Sequence, residues 1–226
     1  MKIRAVNLTK TYFKGSPHEV SALKNASIDI AERDFCLLTG PSGSGKTTFL
    51  CLLGLLTKPT LGKVLIDDEE VSSYSDAWQT KIRKNKIGFI FQQYNLLPQF
   101  TAWENVALPN LCRNTTAAER KQQAIQIMTD LGLKDRVDFK VASLSGGEQQ
   151  RVAVARALIT NPEIIFADEP TAAVDEETAN AIISIFKDLK QKGKTIIVST
   201  HDKSLIKEGT KHLTINHGEI QQVTRS

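Results

Sequence analysis

The chain has 226 residues, 41% hydrophobic and 24% charged, enough for one sizeable core, and 29 Lys and Arg stand against 25 Asp and Glu. The resulting net +4 is spread without a long basic run, which favours a mixed solvated surface over one built for nucleic acid or membrane. Three widely spaced cysteines in apolar surroundings (Cys36, Cys51, Cys112) suggest reduced thiols rather than a disulfide framework, the four histidines lack zinc-ligand spacing, and the longest apolar run, Phe49 to Leu56, is too short to span a bilayer.

In chain order, Lys2 to Leu8 and Val20 to Ile30 alternate apolar and polar side chains like half-exposed antiparallel strands, with Gly15-Ser16-Pro17 as the turn. The opening MKIRAVNLTK has no apolar signal core, so a soluble protein is expected. Tyr12 falls on the connection, where its ring either stacks on a purine or closes the hairpin. Phe35-Cys36-Leu37-Leu38-Thr39 reads as a short buried strand and Thr47 to Leu53 as a mostly buried helix.

Between them lies GPSGSGKT, Gly40 to Thr47, which fits G-x-x-x-x-G-K-[ST] at a strand-to-helix junction, the setting in which that spacing cradles phosphate. Gly40, Gly43 and Gly45 let the backbone turn N–H groups inward, the helix N-terminus adds partial positive charge, and Lys46 brings a full charge to the β- and γ-phosphates. Ser42, Ser44 and Thr48 share this junction and count among its nucleotide contacts, and Thr47 offers its hydroxyl to Mg²⁺. With no second such stretch and no internal repeat, the chain carries machinery for one nucleotide.

Val64 to Ile66 adds strand, turned at Asp67-Asp68, and Asp76 to Asn85 reads as a helix ending in Lys81, Arg83, Lys84 and Lys86, side chains favoured at a helix C-terminus. Ile87 to Phe91 is a compact apolar strand that ends at Gln92. From Thr101 to Ile159 the chain then reads as nearly all helix, with capping-box spacing at Thr101 to Glu104 and Thr116 to Glu119 and Gly132 placed to end the second helix. An all-helical block inside an α/β chain is best read as an insertion. The expectation is a single domain over residues 1–226, with its core in 1–91 and 161–226 and the insert in 92–160. On the loop entering the insert, Pro98 interrupts both helix and strand among Tyr94, Leu96, Leu97, Phe100 and Trp103. Leu96 and Leu97 read as contacts for a partner. Phe100 and Trp103 suit the small core of the insert equally well, Phe100 holding the staple position before the Thr101 cap.

The last helix of the block begins at Ser145-Gly146-Gly147, a plain N-cap or a second anion site. Glu163 to Ala167 is a buried strand delivering Asp168 and Glu169 to its carboxyl end, where open α/β sheets bind ligands. Two carboxylates there divide into one for the Mg²⁺ shell and one that orients or deprotonates water, and Pro170 keeps Glu169 out of a following helix. Asp175 caps a helix to about Lys190, ended by Gly193, and the strand Thr195 to Ser199 brings His201 to the same edge, as a ligand contact or as a structural histidine. Lys211 to Val223 reads as a hairpin about Asn216-His217-Gly218-Glu219.

Taken in order, these stretches resemble the ATP-binding cassette (ABC) ATPases over essentially the whole chain: GPSGSGKT as Walker A, Gln92 as Q-loop, LSGGEQQR as signature, IIFADEP as Walker B, Ala172-Ala173-Val174-Asp175 as a variant D-loop, His201 as switch histidine and Tyr12 as the adenine-stacking aromatic. The resemblance implies a P-loop NTPase core with a mostly parallel sheet, an N-terminal antiparallel β subdomain and an inserted α-helical subdomain. It implies ATP and Mg²⁺ as ligands, with Thr47, Gln92 and Asp168 on the metal, Glu169 polarising the attacking water, His201 at the γ-phosphate, and Lys46 and Gln92 counted with them in catalysis. Ser145, Gly146 and Gly147 would reach ATP across a head-to-tail homodimer. FQQYNLLPQFTAWENVALP is similar to the LolD and MacB ATPases and less so to FtsE, which implies a bacterial transporter subunit on the cytoplasmic face of the membrane. A permease would dock near Gln92, Leu96 and Leu97. The alternatives are an FtsE-like regulator of cell-wall remodelling, or a cassette acting on nucleic acid or ribosomes; the latter lacks the long coiled-coil insertion or second cassette it would need, and no nucleic acid partner is expected.

Overall fold

A computed structural model describes residues 1–172 and 174–225. The chain opens with β1 (Ile3–Tyr12), β2 (Val20–Ile30) and β3 (Phe35–Thr39), passes through the helix α1 (Lys46–Leu53), and returns as β4 (Leu61–Ile66) and β5 (Glu69–Glu70). Helix α2 (Asp76–Lys86) and strand β6 (Ile87–Ile90) lead into the helical block of α3 (Ala102–Ala107), α4 (Ala117–Asp130) and α5 (Gly146–Leu158). There follow β7 (Ile164–Asp168), α6 (Glu176–Gln191), β8 (Thr195–Ser199), the short α7 (Lys203–Ile206), and the hairpin β9 (Lys211–Asn216) and β10 (Glu219–Arg225).

These strands form two sheets: an antiparallel one ordered β2-β1-β4-β5, and a second ordered β10-β9-β3-β8-β7-β6 in which every pair is parallel except β9 with β10. The periodicity of the sequence accounts for the difference. β1 alternates buried and half-buried positions at its start, as a strand with one wet face must, whereas all five residues of β7 and of β8 are buried. Helix α1 is apolar beyond its first turn; Phe49, Leu50, Leu52 and Leu53 are fully buried in one core with Leu8, Leu23 and Ile30 of the antiparallel sheet and Phe166 and Ile197 of the parallel one. Phe35, Ile165 and Ile196 look to the opposite side of the parallel sheet, onto Val154 of α5 and Ile182 and Phe186 of α6. The helical block has its own cluster, built from Ala102, Val106, Ala124, Met128 and Val152.

Two tight hairpins carry left-handed residues at both turn positions, Asp67-Asp68 (φ 49° and 68°) and His217-Gly218 (φ 48° and 81°), the geometry that matches strand twist. Both expected capping boxes form, Thr101 with Glu104 and Thr116 with Glu119, and a third forms at Ser145 with Glu148. Asp175 caps α6 through Thr178, and hydrogen bonding from the Thr178 backbone and side chain holds its carboxyl below the usual range. Of the variant D-loop, Ala173 lies outside the described residues.

Several expectations need correction. β1 runs on to Tyr12, which pairs with Val20, so this tyrosine ends a strand rather than sitting on the connection; the bulge at Asn7 (φ 51°) had broken the alternation that would have shown it. Cys112 is exposed, not apolar-packed, while burial pushes the Cys36 thiol up to about 12. Leu96 is half-buried, packed with Trp103 against the core of the helical block, so less of its side chain is exposed than that of Leu97. Phe100 is 44% exposed, because the position its staple would need is Asn105, a buried amide bonded to the Leu97 backbone and to Thr101 O. Leu97, held by that amide, keeps its side chain outside at 40% exposure.

Candidate functional site

The strand order brings the carboxyl ends of β3, β8, β7 and β6 side by side, and the loops leaving them frame a cleft of about 820 Å³. Among the described residues it is lined by Ser42 to Thr48, Gln92, Asp168, Glu169, Thr171, Ala172, His201 and Asp202, with Val20, Ser21, Ala22 and Lys24 of β2 and His217 and Gly218 of the last hairpin. Crevices at the carboxyl edge of a parallel sheet are where such folds bind ligands.

The glycine-rich loop is held closely on all sides. Gly40 (φ 142°) lies so near β9 that a Cβ there would stand 2.0 Å from Ile215 O, and one on Gly45 (φ 107°) would stand 2.4 Å from Ala22 O. Gly218 N donates to Ser44 O at 2.9 Å, tying the hairpin tip to the loop. Gly45 caps α1 with no side-chain hydrogen bond, so the first N–H groups of this helix face the cleft without a local acceptor, unlike those of α3 to α6. The hydroxyl of Ser44, 3% exposed, is also without a hydrogen-bond partner among the described residues. Unpaired donors at a helix N-terminus suit an anion with several oxygens.

Lys46 is 8% exposed, and its ammonium donates to Gly40 O at 2.7 Å and Pro41 O at 3.2 Å, which fixes a full positive charge over the loop. The same nitrogen stands 3.4 Å from His201 Nε2 and 4.0 Å from Glu169 Oε1, and His201 Nε2 is 3.3 Å from that carboxylate oxygen. A ring nitrogen carries either a proton or a lone pair, so Nε2 accepts from Lys46 or donates to Glu169 but not both at once. Asp168, 6% exposed, accepts from the Thr47 hydroxyl at 2.7 Å through Oδ2 and from the Ser199 hydroxyl through Oδ1. Thr47 and Asp168 thus present oxygens together, the donor type Mg²⁺ prefers, with the Gln92 amide on the same cleft wall. Among the described residues no three His, Cys, Asp or Glu gather as a metal cage.

Glu169 is 13% exposed in its side chain and has φ 46°, a conformation few non-glycine residues adopt. Its N–H is shared between Ser199 O at 3.0 Å and Ser199 Oγ at 3.1 Å, so β8 holds the turn that β7 enters. The turn beyond Gln92 is fixed as well: Arg156 of α5 donates to Tyr94 O and Asn95 O, at 2.6 and 2.5 Å.

The sequence-predicted residues divide by location. Ser42 to Thr48, Gln92, Asp168, Glu169 and His201 meet in the cleft, and Gly40 supports it from behind. Tyr12 stands outside the lining, one strand step from Val20, with the Lys10 ammonium 5.1 Å from its ring centre. Ser145 and Gly146 are exposed elsewhere on the same chain, and Gly147 is buried where a Cβ would meet Thr178 Oγ1 at 2.6 Å. Sequence reasoning missed Ser199, Thr171 and the β2 residues, which sit in no motif of their own, and it read Ala172 and His217 only as parts of the D-loop and of a hairpin turn, not as cleft residues.

Comparison with known proteins gives one consistent answer. Residues 23–172 match the ABC transporter family. An uncharacterized ABC transporter ATP-binding protein of Thermotoga maritima is 45% identical over 220 residues, covering 97% of this chain and 94% of that one. MacB of Brucella melitensis, a macrolide export ATP-binding/permease protein, is 39% identical over 218 residues, which is 96% of this chain but 34% of MacB. Among solved structures, the dimeric post-hydrolysis state of the ATP-binding cassette MJ0796, bound to ADP and Pi, superposes with a TM-score of 0.92 at 42% identity, covering 99% of this chain and 98% of that one; MJ0796 comes from Methanocaldococcus jannaschii.

Proposed function

The chain belongs to the family of ABC transporter ATP-binding proteins, and from that premise we propose that it hydrolyses ATP as a head-to-tail dimer and thereby drives a separate membrane permease of the MacB or LolD type, from the cytoplasmic face of a bacterial membrane. The observation that carries the catalytic reading is the convergence of Lys46, Glu169 and His201 within 4.0 Å beside the Thr47–Asp168 pair.

In this reading the loop N–H groups and Lys46 hold the β- and γ-phosphates. Glu169 takes a proton from water as its oxygen bonds to the γ-phosphorus; the bond to the bridging oxygen breaks, and ADP leaves with that oxygen's charge met by Lys46. His201 contacts the γ-phosphate and holds the Glu169 carboxylate in line. Thr47, Gln92 and Asp168 would hold Mg²⁺, which when bound neutralises charge on the phosphate oxygens. Residues 92–160 act as a lobe carrying the signature turn to the partner.

Placement supports the dimer. Ser145 and Gly146 are exposed at the start of α5 and lie outside the lining of their own cleft, so they serve a nucleotide only if another copy brings one. The test mixes two inactive variants, Lys46→Ala and Ser145→Asp. Asp retains the helix cap but repels phosphate, and unlike a substitution at Gly147 it does not crowd Thr178. In the mixed dimer one cleft regains an intact Lys46 facing an intact Ser145, so one ATP should be trapped per dimer and some turnover should return. Mixed dimers that trap none would exclude Ser145 from the composite site.

Leu97 and Phe100, exposed on a loop whose backbone Asn105 fixes, are the apolar side chains offered to the permease. Replacing both with Ser should leave ATPase activity of the isolated chain within about twofold while lowering retention of the permease in co-purification by more than about tenfold. Unchanged retention would refute the docking assignment.

A further inference from the structure

Helix α5 does more than present the Ser145 turn. On its second turn Gln150 is 1% exposed, and its Nε2 donates to Pro170 O at 2.6 Å. A carbonyl only accepts, so the amide nitrogen must face Pro170, which leaves Gln150 Oε1 buried with no hydrogen-bond partner among the described residues. An apolar side chain of the same size would fill this position without that penalty. The amide is therefore explained by what it holds. Pro170 directly follows Glu169, whose left-handed backbone needs support from its surroundings, and Ala172 N closes the same turn on Glu169 O at 3.2 Å. The turn is gripped by Ser199 from the β8 side and by Gln150 from the α5 side.

We infer that Gln150 is a positioning residue for hydrolysis: its bond to Pro170 O holds the Pro170–Thr171 peptide, one residue beyond Glu169, and so anchors the turn that aims that carboxylate into the cleft. The inference rests on Glu169 being the base, and it gives α5 two tasks, since the helix that offers Ser145 to the partner's nucleotide also holds the base of its own site.

The test uses Gln150→Met, which keeps the unbranched shape and loses the donor. Its kcat should fall by about ten- to a hundredfold, because a displaced catalytic group loses alignment, while ATP affinity stays within about twofold, Lys46 and the glycine-rich loop being untouched. Gln150→Glu supplies a second readout. Burial raises the pKa of a carboxylic acid, so below that value the neutral group donates its O–H to Pro170 O, and above it the carboxylate repels the carbonyl. The activity of this variant relative to wild type should thus be near normal at acidic pH and fall as pH rises. If Gln150→Met proves unstable, the pH profile decides. A wild-type kcat in Gln150→Met, loss of ATP affinity in step with kcat, or a flat relative pH profile for Gln150→Glu would each overturn the inference. Should Glu169→Gln be inactive while Gln150→Met turns over normally, the positioning role alone is lost; a turning-over Glu169→Gln would remove the base and this inference with it.

Discussion

Glu169→Gln should lower ATP turnover by about a thousandfold while leaving nucleotide affinity within about twofold, as expected when a general base is removed and shape is kept. The amide occupies the same 13%-exposed position and can still accept a hydrogen bond from His201 Nε2, now 3.3 Å from Glu169 Oε1, but it cannot take the proton of the attacking water. Binding is expected to be spared because the groups proposed to meet the phosphates, the loop N–H donors and Lys46, lie on the loop between β3 and α1 and on α1 itself rather than on the β7 turn. ATP that binds and is not hydrolysed should hold two chains together, so size-exclusion chromatography should show a dimer with ATP and a monomer with ADP. Turnover within tenfold of wild type in a stopped-flow phosphate assay would remove Glu169 from the chemistry.

Lys46→Ala is the complementary case and should fail one step earlier. Its ammonium is held by Gly40 O and Pro41 O before any ligand arrives, so little ordering remains to be done when phosphate binds. A hydrogen bond to a charged group contributes about 1.5–3 kcal/mol, so losing it should weaken ATP binding by about ten- to a hundredfold. The lost affinity is one of ground-state binding, so raising ATP should refill the site, but turnover should stay low because Lys46 also meets the charge developing on the leaving oxygen. Titration with a fluorescent ATP analogue measures the first effect directly, and equal affinities in variant and wild type would contradict it. Together the two variants separate holding the nucleotide from cleaving it.

Much of the site was legible in sequence because its parts are local. GPSGSGKT needs only its own strand and helix to become a phosphate cradle, since the glycines set the backbone and the helix supplies the donors. The capping boxes at Thr101, Thr116 and Ser145 and the turns at Asp67-Asp68 and His217-Gly218 likewise involve partners within a few residues. Assigning roles to Asp168, Glu169 and His201 relied on a family resemblance, with only their place after buried strands readable from the residues themselves.

The remainder depended on which strands lie side by side. Thr47 and Asp168 are 121 residues apart and Lys46 and His201 are 155 apart, and they meet because β3, β8 and β7 are neighbours in the parallel sheet. Ser199 supports both acidic residues only through the register that sets it opposite Asp168. Gln150 was legible only as part of the LSGGEQQR signature, and its bond to Pro170 O appeared only when α5 packed against the β7 turn. The loop before Thr101 divided in the same way: apolar composition could not tell Leu96 from Leu97, and the buried Asn105 amide, by fixing the loop, turned one inward and left the other in solvent. Sequence by itself determined most of the elements, the capped helix starts and the glycine-rich loop, since propensity, capping and turn chemistry act over a few residues, whereas the end of β1 at Tyr12 needed its pairing with Val20. Tertiary structure alone decided the pairing of carboxylates with hydroxyls, the far wall of the cleft and the exposed contact residues, because strand order and helix docking are set by burial summed over the whole chain.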